Sequence, residues 1–297
     1  MDHANRSRVA VVTGASSGIG KAAAKALAMS GWRVIGLGRD AARCAAAEAE
    51  LRAAAPNSKI EMIRADLSLL SEAASAARSI EARTDRIDVL VNNAGGVGSQ
   101  LVMTAEGNES TFAANHLGPF VLTLSLLPLL RRSAATAPAG AVRILATSSS
   151  GHRYCPGMEW DDLQRTRNFT TGGAYTSAKL ANVLFTRALA ERLAGDGIVT
   201  HAMEPGVVLD SNFVNHADDS MQRYMATQQS VAVSSEEAAR TIVFMATDEE
   251  TGRRSGAYYY ERKPIDVSAA AQDQAAADRL WQESLALARK AGLRLES

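Results

Sequence analysis

Tyr175 and Lys179 are side chains that could together move a proton, and they are spaced Tyr-x-x-x-Lys. On a predicted helix over 174–193, that spacing places both side chains on one face. A free tyrosine titrates near ~10, but a nearby ammonium stabilises the phenolate and lowers the pKa. The pair could then exchange a proton with an alcohol or carbonyl oxygen. A surface tyrosine and lysine one helical turn apart would show the same pattern, so the interpretation needs support from other motifs.

Near the N-terminus, residues 13–20 read Thr-Gly-Ala-Ser-Ser-Gly-Ile-Gly and follow the apolar run 9–12, an arrangement that could hold the phosphates of a dinucleotide. Gly14 permits a tight turn, Gly18 lets the backbone approach phosphates, and Gly20 lets the next helix pack closely on the sheet. That helix points its positive N-terminal end at the pyrophosphate. The spacing differs from the commoner Gly-x-Gly-x-x-Gly fingerprint, so a plain strand–turn–helix corner is the alternative. The loop residues expected to contact a cofactor are Gly14, Ser16, Ser17, Gly18, Ile19 and Gly20.

Short apolar runs alternate with amphipathic helical stretches along the chain, which is typical of βαβ units. We expect a single α/β domain over 1–297, built on a Rossmann-type, doubly wound and mostly parallel sheet of seven strands with helices on both faces. The predicted strands are 8–12, 33–37, 59–63, 87–91, 142–147, 198–203 and 256–260. Residues 207–232 are predicted to form a substrate lid over the sheet edge, with a surface loop as the alternative. Residues 261–297 form a C-terminal extension, in which 275–291 has helical periodicity.

In an open parallel sheet, ligands bind beyond the carboxyl ends of the strands, and polar or small residues of this chain follow those predicted ends. Asparagines follow the fourth strand, and three serines follow the fifth. This shared placement indicates one site more strongly than any single motif does. The residues at the strand ends are Gly14 to Gly20, Arg39, Asp66, Asn92 to Gly95, Ser148 to Ser150, and Pro205-Gly206.

The end of the second strand is where dinucleotide-binding proteins usually select their cofactor, because an acid there binds the ribose 2′-hydroxyl and repels a 2′-phosphate. This chain has Gly38 at that position, followed by Arg39. A guanidinium can hold a phosphate with two parallel hydrogen bonds. We therefore expect NADP(H) rather than NAD(H), with NAD(H) still possible. Pairing with Asp40 is the alternative role of the arginine.

Together these motifs resemble those of the short-chain dehydrogenase/reductase family, from Val9 to the last strand. The resemblance rests on Thr13-Gly14-x-x-x-Gly18-x-Gly20, Asp66, Asn92-Asn93-Ala94-Gly95, Asn115, Ser149, Tyr175-x-x-x-Lys179 and Pro205-Gly206. Residues 158–163 and 180–185, with 271–273 and 279–281 near the C-terminus, are similar to the branch that contains the retinol dehydrogenases. Relatives in that branch often act on hydrophobic alcohols, aldehydes and ketones.

The resemblance implies a role for each of four side chains. Tyr175 would be the general acid in reduction and the general base in oxidation, and Lys179 would lower its pKa and hold the nicotinamide ribose. Ser149 would hydrogen-bond the reacting oxygen, with Ser148 as the alternative serine. Asn115 would hold a water that links Lys179 to solvent.

The resemblance also implies cofactor contacts beyond residues 13–20, the glycine loop. The adenine would meet Asp66 and Leu67, its ribose would lie beside Asn93, and the nicotinamide amide would meet the backbone of Val208. The remaining cofactor candidates are Ala94, Gly95, Pro205 and Gly206, together with Tyr175 and Lys179. The candidates for substrate contact are Ser149, Gly151, His152 and Tyr175.

Two positions depart from the family pattern. Val207 stands where the family often has a threonine that contacts the cofactor, so one hydroxyl contact is lost. Glu204 stands where a histidine or another neutral residue is common, and we assign it no catalytic role.

The composition argues against several other classes of function. The 297 residues have a formal net charge of zero, which offers no electrostatic basis for binding nucleic acid or an anionic membrane. The two cysteines, Cys44 and Cys155, provide no disulfide framework, and no metal-site spacing is present. No signal peptide is recognised, and the apolar run 117–130 is shorter than a membrane span of ~20 residues. We expect a soluble cytoplasmic protein without a membrane anchor.

Relatives of this kind often pair through the helices that correspond here to 108–130 and 172–194. The apolar face around Phe120, Leu124 and Leu127 is compatible with such a homodimer or homotetramer, and equally with packing on the sheet. The pattern of apolar residues alone leaves both interpretations open.

We expect an NADP(H)-dependent oxidoreductase that transfers hydride between the nicotinamide and a hydrophobic carbonyl compound or alcohol, with Tyr175 moving the proton. An NAD-dependent alcohol dehydrogenase with similar substrates is the second interpretation. A dinucleotide-binding regulator without turnover is the third. Such a regulator would be expected to lack a catalytic group, whereas Asn115, Ser149, Tyr175 and Lys179 are all present.

Overall fold

The strands of the main sheet are mostly buried, because helices cover both faces of a parallel sheet. The first and fifth strands, for example, are buried at every position. The computed structural model describes residues 7–210 and 217–295. Its strands are β1 (Val9–Thr13), β2 (Arg33–Gly38), β3 (Ile60–Arg64), β4 (Val89–Asn92), β5 (Val142–Thr147), β6 (Ile198–Met203), β7 (Val207–Val208), β8 (Ala232–Val233), β9 (Ala257–Tyr260) and β10 (Lys263–Pro264).

Eight strands form one sheet in the order β10-β9-β6-β5-β4-β1-β2-β3. Neighbouring strands in this sheet are parallel except for β9 and β10. Val12 of β1 pairs with Val91 of β4, so the loops that follow these two strands leave the same edge side by side. This crossover defines the Rossmann-type doubly wound fold, and the α/β class predicted from the sequence is confirmed.

The main sheet has eight strands rather than the predicted seven, because the chain turns back after β9. Glu261 and Arg262 form a two-residue loop in which both have positive φ, 47° and 65°, as in a tight hairpin turn. The residues of β10 then pair antiparallel with Tyr259 and Tyr260. Glycine or asparagine usually signals such a turn, and this loop contains neither. A separate two-stranded sheet pairs β7 with β8 in parallel.

Helices pack in two layers, one on each face of the sheet. Aliphatic residues of the third, fifth, sixth and tenth helices form one core, and those of the first, second and eighth helices contribute to the other. The helices are α1 (Gly18–Met29), α2 (Ala41–Ala54), α3 (Leu70–Glu81), α4 (Ser110–Phe112), α5 (Gly118–Ala134), α6 (Thr171–Arg192), α7 (Asp219–Ala226), α8 (Ser235–Thr247), α9 (Ala269–Gln272) and α10 (Gln274–Lys290).

A π-helical turn, Ala113–Leu117, joins α4 to α5 and makes one long helical segment. By length and composition alone, Ser110–Ala134 could cross a membrane, since its most apolar 18-residue window has a mean hydropathy of 1.4. The run 117–130, considered alone in the sequence, underestimates this length. In this fold 83% of the most apolar 18-residue window is buried inside the protein, as in a core helix.

The C-terminal helix α10 covers the helices that the sequence offered as a dimer interface. The Trp281 ring lies 5.2 Å from Phe120 and 5.8 Å from Phe185, measured between centroids, and the Arg192 guanidinium lies 4.4 Å above it. Phe120 is fully buried within the chain. The apolar face around Phe120 therefore packs inside the chain in this structure, rather than forming an exposed surface for a second copy.

The segment predicted to be a lid, 207–232, contains regular structure. It begins with β7 and includes α7 and a 3-10 turn, Gln229–Val231. Its residues 211–216 lie outside the described residues, as do 296–297 of the C-terminal extension.

Replacing Trp281 by alanine should destabilise the protein by about 3–5 kcal/mol, since the substitution leaves a cavity among aromatic rings. Urea unfolding followed by circular dichroism would measure the free energy of unfolding. Met29→Ala, at a side chain that is 64% exposed, is the control and should change it by less than about 0.5 kcal/mol. A loss as small as that of the control would show that α10 contributes little to the core.

Candidate active site

The carboxyl edge of the sheet holds a cavity of about 1200 Å³, surrounded by the loops after β1, β2, β4, β5 and β6. Residues of α6 and α7 complete the wall. The cavity therefore brings together nearly all the residues singled out in the sequence. Those on its wall are Gly14, Ser16, Ser17, Gly18, Ile19, Arg39, Asp66, Leu67, Asn93, Ala94, Gly95, Asn115, Ser149, Gly151, Tyr175, Lys179, Pro205, Gly206 and Val208.

The glycine loop has the backbone shape that only glycine adopts easily. Gly14 and Gly18 have φ of 71° and 52°. A Cβ at Gly20, which lies off the cavity wall, would be 2.4 Å from the carbonyl oxygen of Gly14. Ser17, at the N-cap of α1, makes no capping hydrogen bond with its side chain. The loop thus presents backbone and an uncapped helix end to the cavity, which fits an anionic pyrophosphate.

Thr13 joins the two central loops, a role that the sequence motif alone did not indicate. Its hydroxyl accepts hydrogen bonds from the backbone N–H groups of Asn93 and Ala94, both at 2.9 Å, and donates to the carbonyl of Val91. The Asn93 side chain donates back to the carbonyl of Thr13 at 3.0 Å. Since Thr13 is fully buried, these bonds fix the loop after β4 against the glycine loop.

Two arginines lie at the end of the cavity near β2. Arg39 is exposed on the wall, as predicted, and Arg43 on α2 lies there as well, which the sequence analysis missed. Asp40 pairs with Arg43 rather than with Arg39: it accepts from the Arg43 backbone at 2.8 Å and lies 3.7 Å from its side-chain Nε. Arg43 is in the first turn of α2, four positions after Arg39. This short separation in the sequence could have indicated that both arginines lie at the same end of the cavity.

A side chain at Gly38, the position that holds an acid in other dinucleotide sites, would require its neighbours to shift. A Cβ there would lie 2.6 Å from Cys44 Sγ and 2.9 Å from Ser16 Oγ. The buried thiol of Cys44 therefore crowds the position of that Cβ, and a positive charge lies next to it. This end of the cavity is suited to a phosphate.

Among the three serines after β5, the structure places Ser149 beside Tyr175. Its Oγ accepts from the Gly151 backbone at 3.0 Å and hydrogen-bonds the Tyr175 hydroxyl. Ser148, the alternative, is buried, and its Oγ instead donates to the carbonyl of Lys179 at 2.8 Å. Ser149 thus faces the cavity while Ser148 holds the α6 backbone.

Lys179 is buried close to Tyr175 and Asn115. Its Nζ lies 5.5 Å from the centre of the Tyr175 ring and donates to the carbonyl of Thr147 at 3.2 Å. The Asn115 side chain lies in the π-helical turn, a feature often found at functional sites, and is held by both polar groups of Gly96. A Cβ at Gly95 would be 2.3 Å from Asn115 Oδ1, so only glycine fits between these side chains.

Burial dominates the ionisation of both groups. It raises the pKa of Tyr175 to about 12, although the hydrogen bond from Ser149 acts in the opposite direction. Burial also lowers the pKa of Lys179 to about 8. Loss of water around the phenol therefore sets the direction of the pKa shift in the protein by itself, and the expected lowering by Lys179 stays a prediction.

The structure corrects the placement of His152, which was expected to contact substrate. Its ring is fully buried behind the cavity wall, with Nδ1 2.7 Å from the carbonyl oxygen of Ser149. Gly151 does lie on the wall. The turn that begins at Ser150 directs the two residues to opposite sides.

The part of the cavity beyond Tyr175 is lined mainly by apolar and neutral polar side chains. Tyr154, 76% exposed, stands at its mouth, and α7 contributes Met221 and Met225. The prediction of a lid over 207–232 did not indicate that these methionines line the cavity. Other residues here are Val97, Gln100, Val102, Thr171 and Thr176. Among the residues that the structure describes, no group of three or more His, Cys, Asp or Glu side chains could hold a metal ion.

Comparison with known proteins agrees with this fold. Residues 8–159 match the family model described as short chain dehydrogenase. Human retinol dehydrogenase 12 is 37% identical over 280 residues, covering 94% of this chain and 86% of that protein. A crystal structure of an uncharacterised protein from Mycobacterium paratuberculosis has a TM-score of 0.74 at 29% identity, covering 98% and 95% of the two chains. The Pseudomonas aeruginosa RhlG/NADP active-site complex has a TM-score of 0.68 at 28% identity, covering 89% and 96%.

The chain belongs to the short-chain dehydrogenase/reductase family of oxidoreductases. Within that family it falls in the retinol dehydrogenase-like branch, as the segments around 158–163 and 180–185 predicted. The family binds nicotinamide cofactors, and the glycine loop described above fits the pyrophosphate of such a cofactor.

Tyr175 should keep its proton up to about pH 11 in the protein alone, because its pKa is raised to about 12. A raised pKa means that the neutral form persists as the pH increases. The ultraviolet absorbance of phenolate in the wild type minus that in Tyr175→Phe would isolate this group from the other tyrosines. A phenolate signal from Tyr175 already present at about pH 9 would contradict the prediction.

Proposed function

We propose that the protein is an NADP(H)-dependent oxidoreductase that interconverts a hydrophobic carbonyl compound and its alcohol. One observation carries the proposal: Ser149, Tyr175 and Lys179 lie together on the wall of a cavity that has the glycine loop elsewhere on its wall. When bound, the nicotinamide would supply or accept the hydride. The protein would hold the substrate oxygen and move the proton.

The side chains divide this work according to their contacts. Tyr175 would give its proton to the carbonyl oxygen during reduction and take it back during oxidation. Ser149, hydrogen-bonded to Tyr175, would bind the same substrate oxygen. Lys179 would place its ammonium at the ribose and stabilise a Tyr175 phenolate as it forms. Asn115 would support Lys179 from the π-helical turn.

The ionisation of Tyr175 suits its role as the proton donor in reduction. With a pKa of about 12, the side chain holds the proton that a carbonyl oxygen needs. Oxidation would first require this proton to leave a buried phenol, and the nearby Lys179 ammonium would favour that loss.

The substrate class follows from the wall beyond Tyr175. Val97, Val102 and the two methionines of α7 offer apolar contact to the body of a ligand. Related proteins named retinol dehydrogenases suggest an elongated hydrophobic alcohol or aldehyde. The segment 207–232 would act as the lid, since α7 lies on the cavity wall.

The cofactor preference rests on the end of the cavity near β2. Arg39 and Arg43 supply positive charge there, and the position next to Arg39 is Gly38, where a side chain would crowd Cys44 Sγ. A relative of similar fold forms a complex with NADP. An NAD-dependent alcohol dehydrogenase remains the second candidate, because Asp66 and the glycine loop would hold either dinucleotide.

Oligomers of this protein would have to use a surface other than the apolar face of α5. That face packs inside the chain, where Trp281 of α10 meets Phe120 and Phe185. We therefore propose that any homodimer or homotetramer forms elsewhere.

The proposed activity is tested by following NADPH consumption with a panel of hydrophobic aldehydes and ketones, with NADH in parallel. Tyr175→Phe should lower turnover by about 100-fold or more, because the proton donor is removed. Binding of NADPH, measured by fluorescence, should change by less than about twofold, since the ring remains. Tyr154→Phe, the same substitution at the cavity mouth, is the matched control and should keep its activity.

Two results would count against this activity. Full turnover by Tyr175→Phe would remove the proposed acid. NADPH binding without turnover of any panel member would instead favour the dinucleotide-binding regulator.

Arg39→Ala should raise the dissociation constant for NADPH by about 10- to 100-fold, the cost of losing a charge-assisted hydrogen bond. The constant for NADH should rise less than about threefold, because NADH has no 2′-phosphate. Arg253→Ala, at a side chain that is 74% exposed and paired with Glu249, controls for the loss of a positive charge elsewhere. Equal losses for the two cofactors would show that Arg39 has a structural role.

A further inference from the structure

Four polar side chains form a cluster behind the cavity wall, which we call the rear cluster: His152 and Tyr258 are buried, Glu204 is half-buried and Arg153 is exposed. They come from three separate parts of the chain, namely the turn after β5, the loop after β6, and β9. These residues are not on the cavity wall. The mechanism described above does not use them.

Glu204 is the acceptor at the centre of the rear cluster. Its Oε2 accepts from the Tyr258 hydroxyl at 3.1 Å and from Arg153 Nη1 at 3.0 Å. The Glu204 side chain is only 12% exposed, so these partners replace most of its water. Arg153 also donates to the carbonyl of Asp266 at 2.7 Å, which ties the C-terminal extension to the same charge.

His152 connects the rear cluster to Ser149. The backbone N–H of Ser268 donates to Nε2 of the ring at 3.3 Å, and a backbone N–H can only donate. The hydrogen of the neutral ring is therefore on Nδ1, from which it is donated to the Ser149 carbonyl at 2.7 Å. Burial lowers the pKa of His152 and so favours this neutral form. The Tyr258 hydroxyl lies 3.4 Å from the same Nδ1.

Tyr258 also reaches the other side of the site. Its hydroxyl also contacts Ser148, whose Oγ donates its hydrogen to the carbonyl of Lys179. Burial raises the pKa of Tyr258 above its ordinary value, so the phenol stays protonated and can donate to Glu204. One hydroxyl therefore touches the groups that hold the backbone at Ser149 and at Lys179.

We propose that the rear cluster is a positioning device that fixes the Ser149 hydroxyl against Tyr175 and joins it to the loop 204–208. This assigns Glu204, which the sequence left without a role, as a positioning residue that acts through Tyr258 and His152. The proposal rests on the proposed function, because it concerns the step in which Ser149 binds the substrate oxygen. A cluster that only stabilised the fold would affect unfolding and leave turnover unchanged.

Tyr258→Phe tests the proposal by removing one hydroxyl and keeping the ring. The matched control is Tyr259→Phe, the next residue of β9, which points to the opposite face of the sheet and packs near His201 and Phe244. We expect kcat to fall about tenfold in Tyr258→Phe and to stay within about twofold in the control. The KM for NADPH should hardly change in either variant. Equal kcat values for the two variants would overturn the proposal.

A double-mutant cycle separates positioning from a general loss of stability. In a Ser149→Ala background the hydroxyl to be positioned is absent, so Tyr258→Phe should lower the residual kcat by less than about twofold. A loss as large as in the wild-type background would show that the rear cluster does not act through Ser149. Glu204→Gln, which keeps an acceptor oxygen, should retain more activity than Glu204→Ala.

Hydrogen exchange followed by mass spectrometry gives a result that does not depend on turnover. Tyr258→Phe should speed amide exchange in 148–155 and 204–208, while Tyr259→Phe should not. Unchanged exchange in both segments would overturn the proposal even in an inactive protein. An inactive wild type that shows the expected exchange pattern would instead refute the proposed function alone.

Discussion

The buried ammonium of Lys179 is the constraint around which the site is arranged, because a charge taken out of water needs polar partners close by. Its Nζ donates to the Thr147 carbonyl, and its own carbonyl accepts from Ser148. Both partners stand at the end of β5, so α6 and the sheet edge are joined at this point. A pKa lowered to about 8 shows that these groups compensate the charge only in part. Ribose hydroxyls in the proposed complex would add acceptors where the protein supplies few.

The sequence predicted the fold, and most of the candidate site residues lie on the cavity wall, because both depend on local patterns. Strand β5 was predicted with the bounds 142–147 that it has, and the glycine loop has the expected positive φ angles. The choice of Ser149 over Ser148 agrees with the geometry, since alternation along extended backbone turns one hydroxyl outward and the next inward.

The features that the sequence did not indicate depend on contacts between distant residues. Glu204 meets Arg153 across 51 positions and Tyr258 across 54, and no periodicity connects them. His152 was misplaced because the turn after β5 reverses its direction within two residues. The β9–β10 hairpin was missed because its loop uses Glu-Arg in the left-handed conformation, where glycine or asparagine is the usual signal.

The C-terminal extension contributes to stability and to the site through different residues. Trp281 fills the aromatic core beside α5 and α6, while Ser268 and the Asp266 carbonyl hold His152 and Arg153. The short helix α9 links these two regions. Motion of this extension would therefore be transmitted to Ser149 through the rear cluster. None of the residues 263–295 lies on the cavity wall itself.

Size and charge act together at the cofactor end of the cavity. An acid at position 38 would meet Cys44 Sγ at 2.6 Å from its Cβ, so packing as well as the choice of residue disfavours an acidic contact to a ribose 2′-hydroxyl. Asp40, the nearest carboxylate in sequence, is engaged in capping α2 and pairing with Arg43. The positive charge of Arg39 is consequently left facing the cavity without an internal counter-ion among the described residues. A 2′-phosphate would be a counter-ion for this charge. The proposed preference for NADP(H) therefore rests on Cys44, Asp40 and Arg39 together rather than on Arg39 alone.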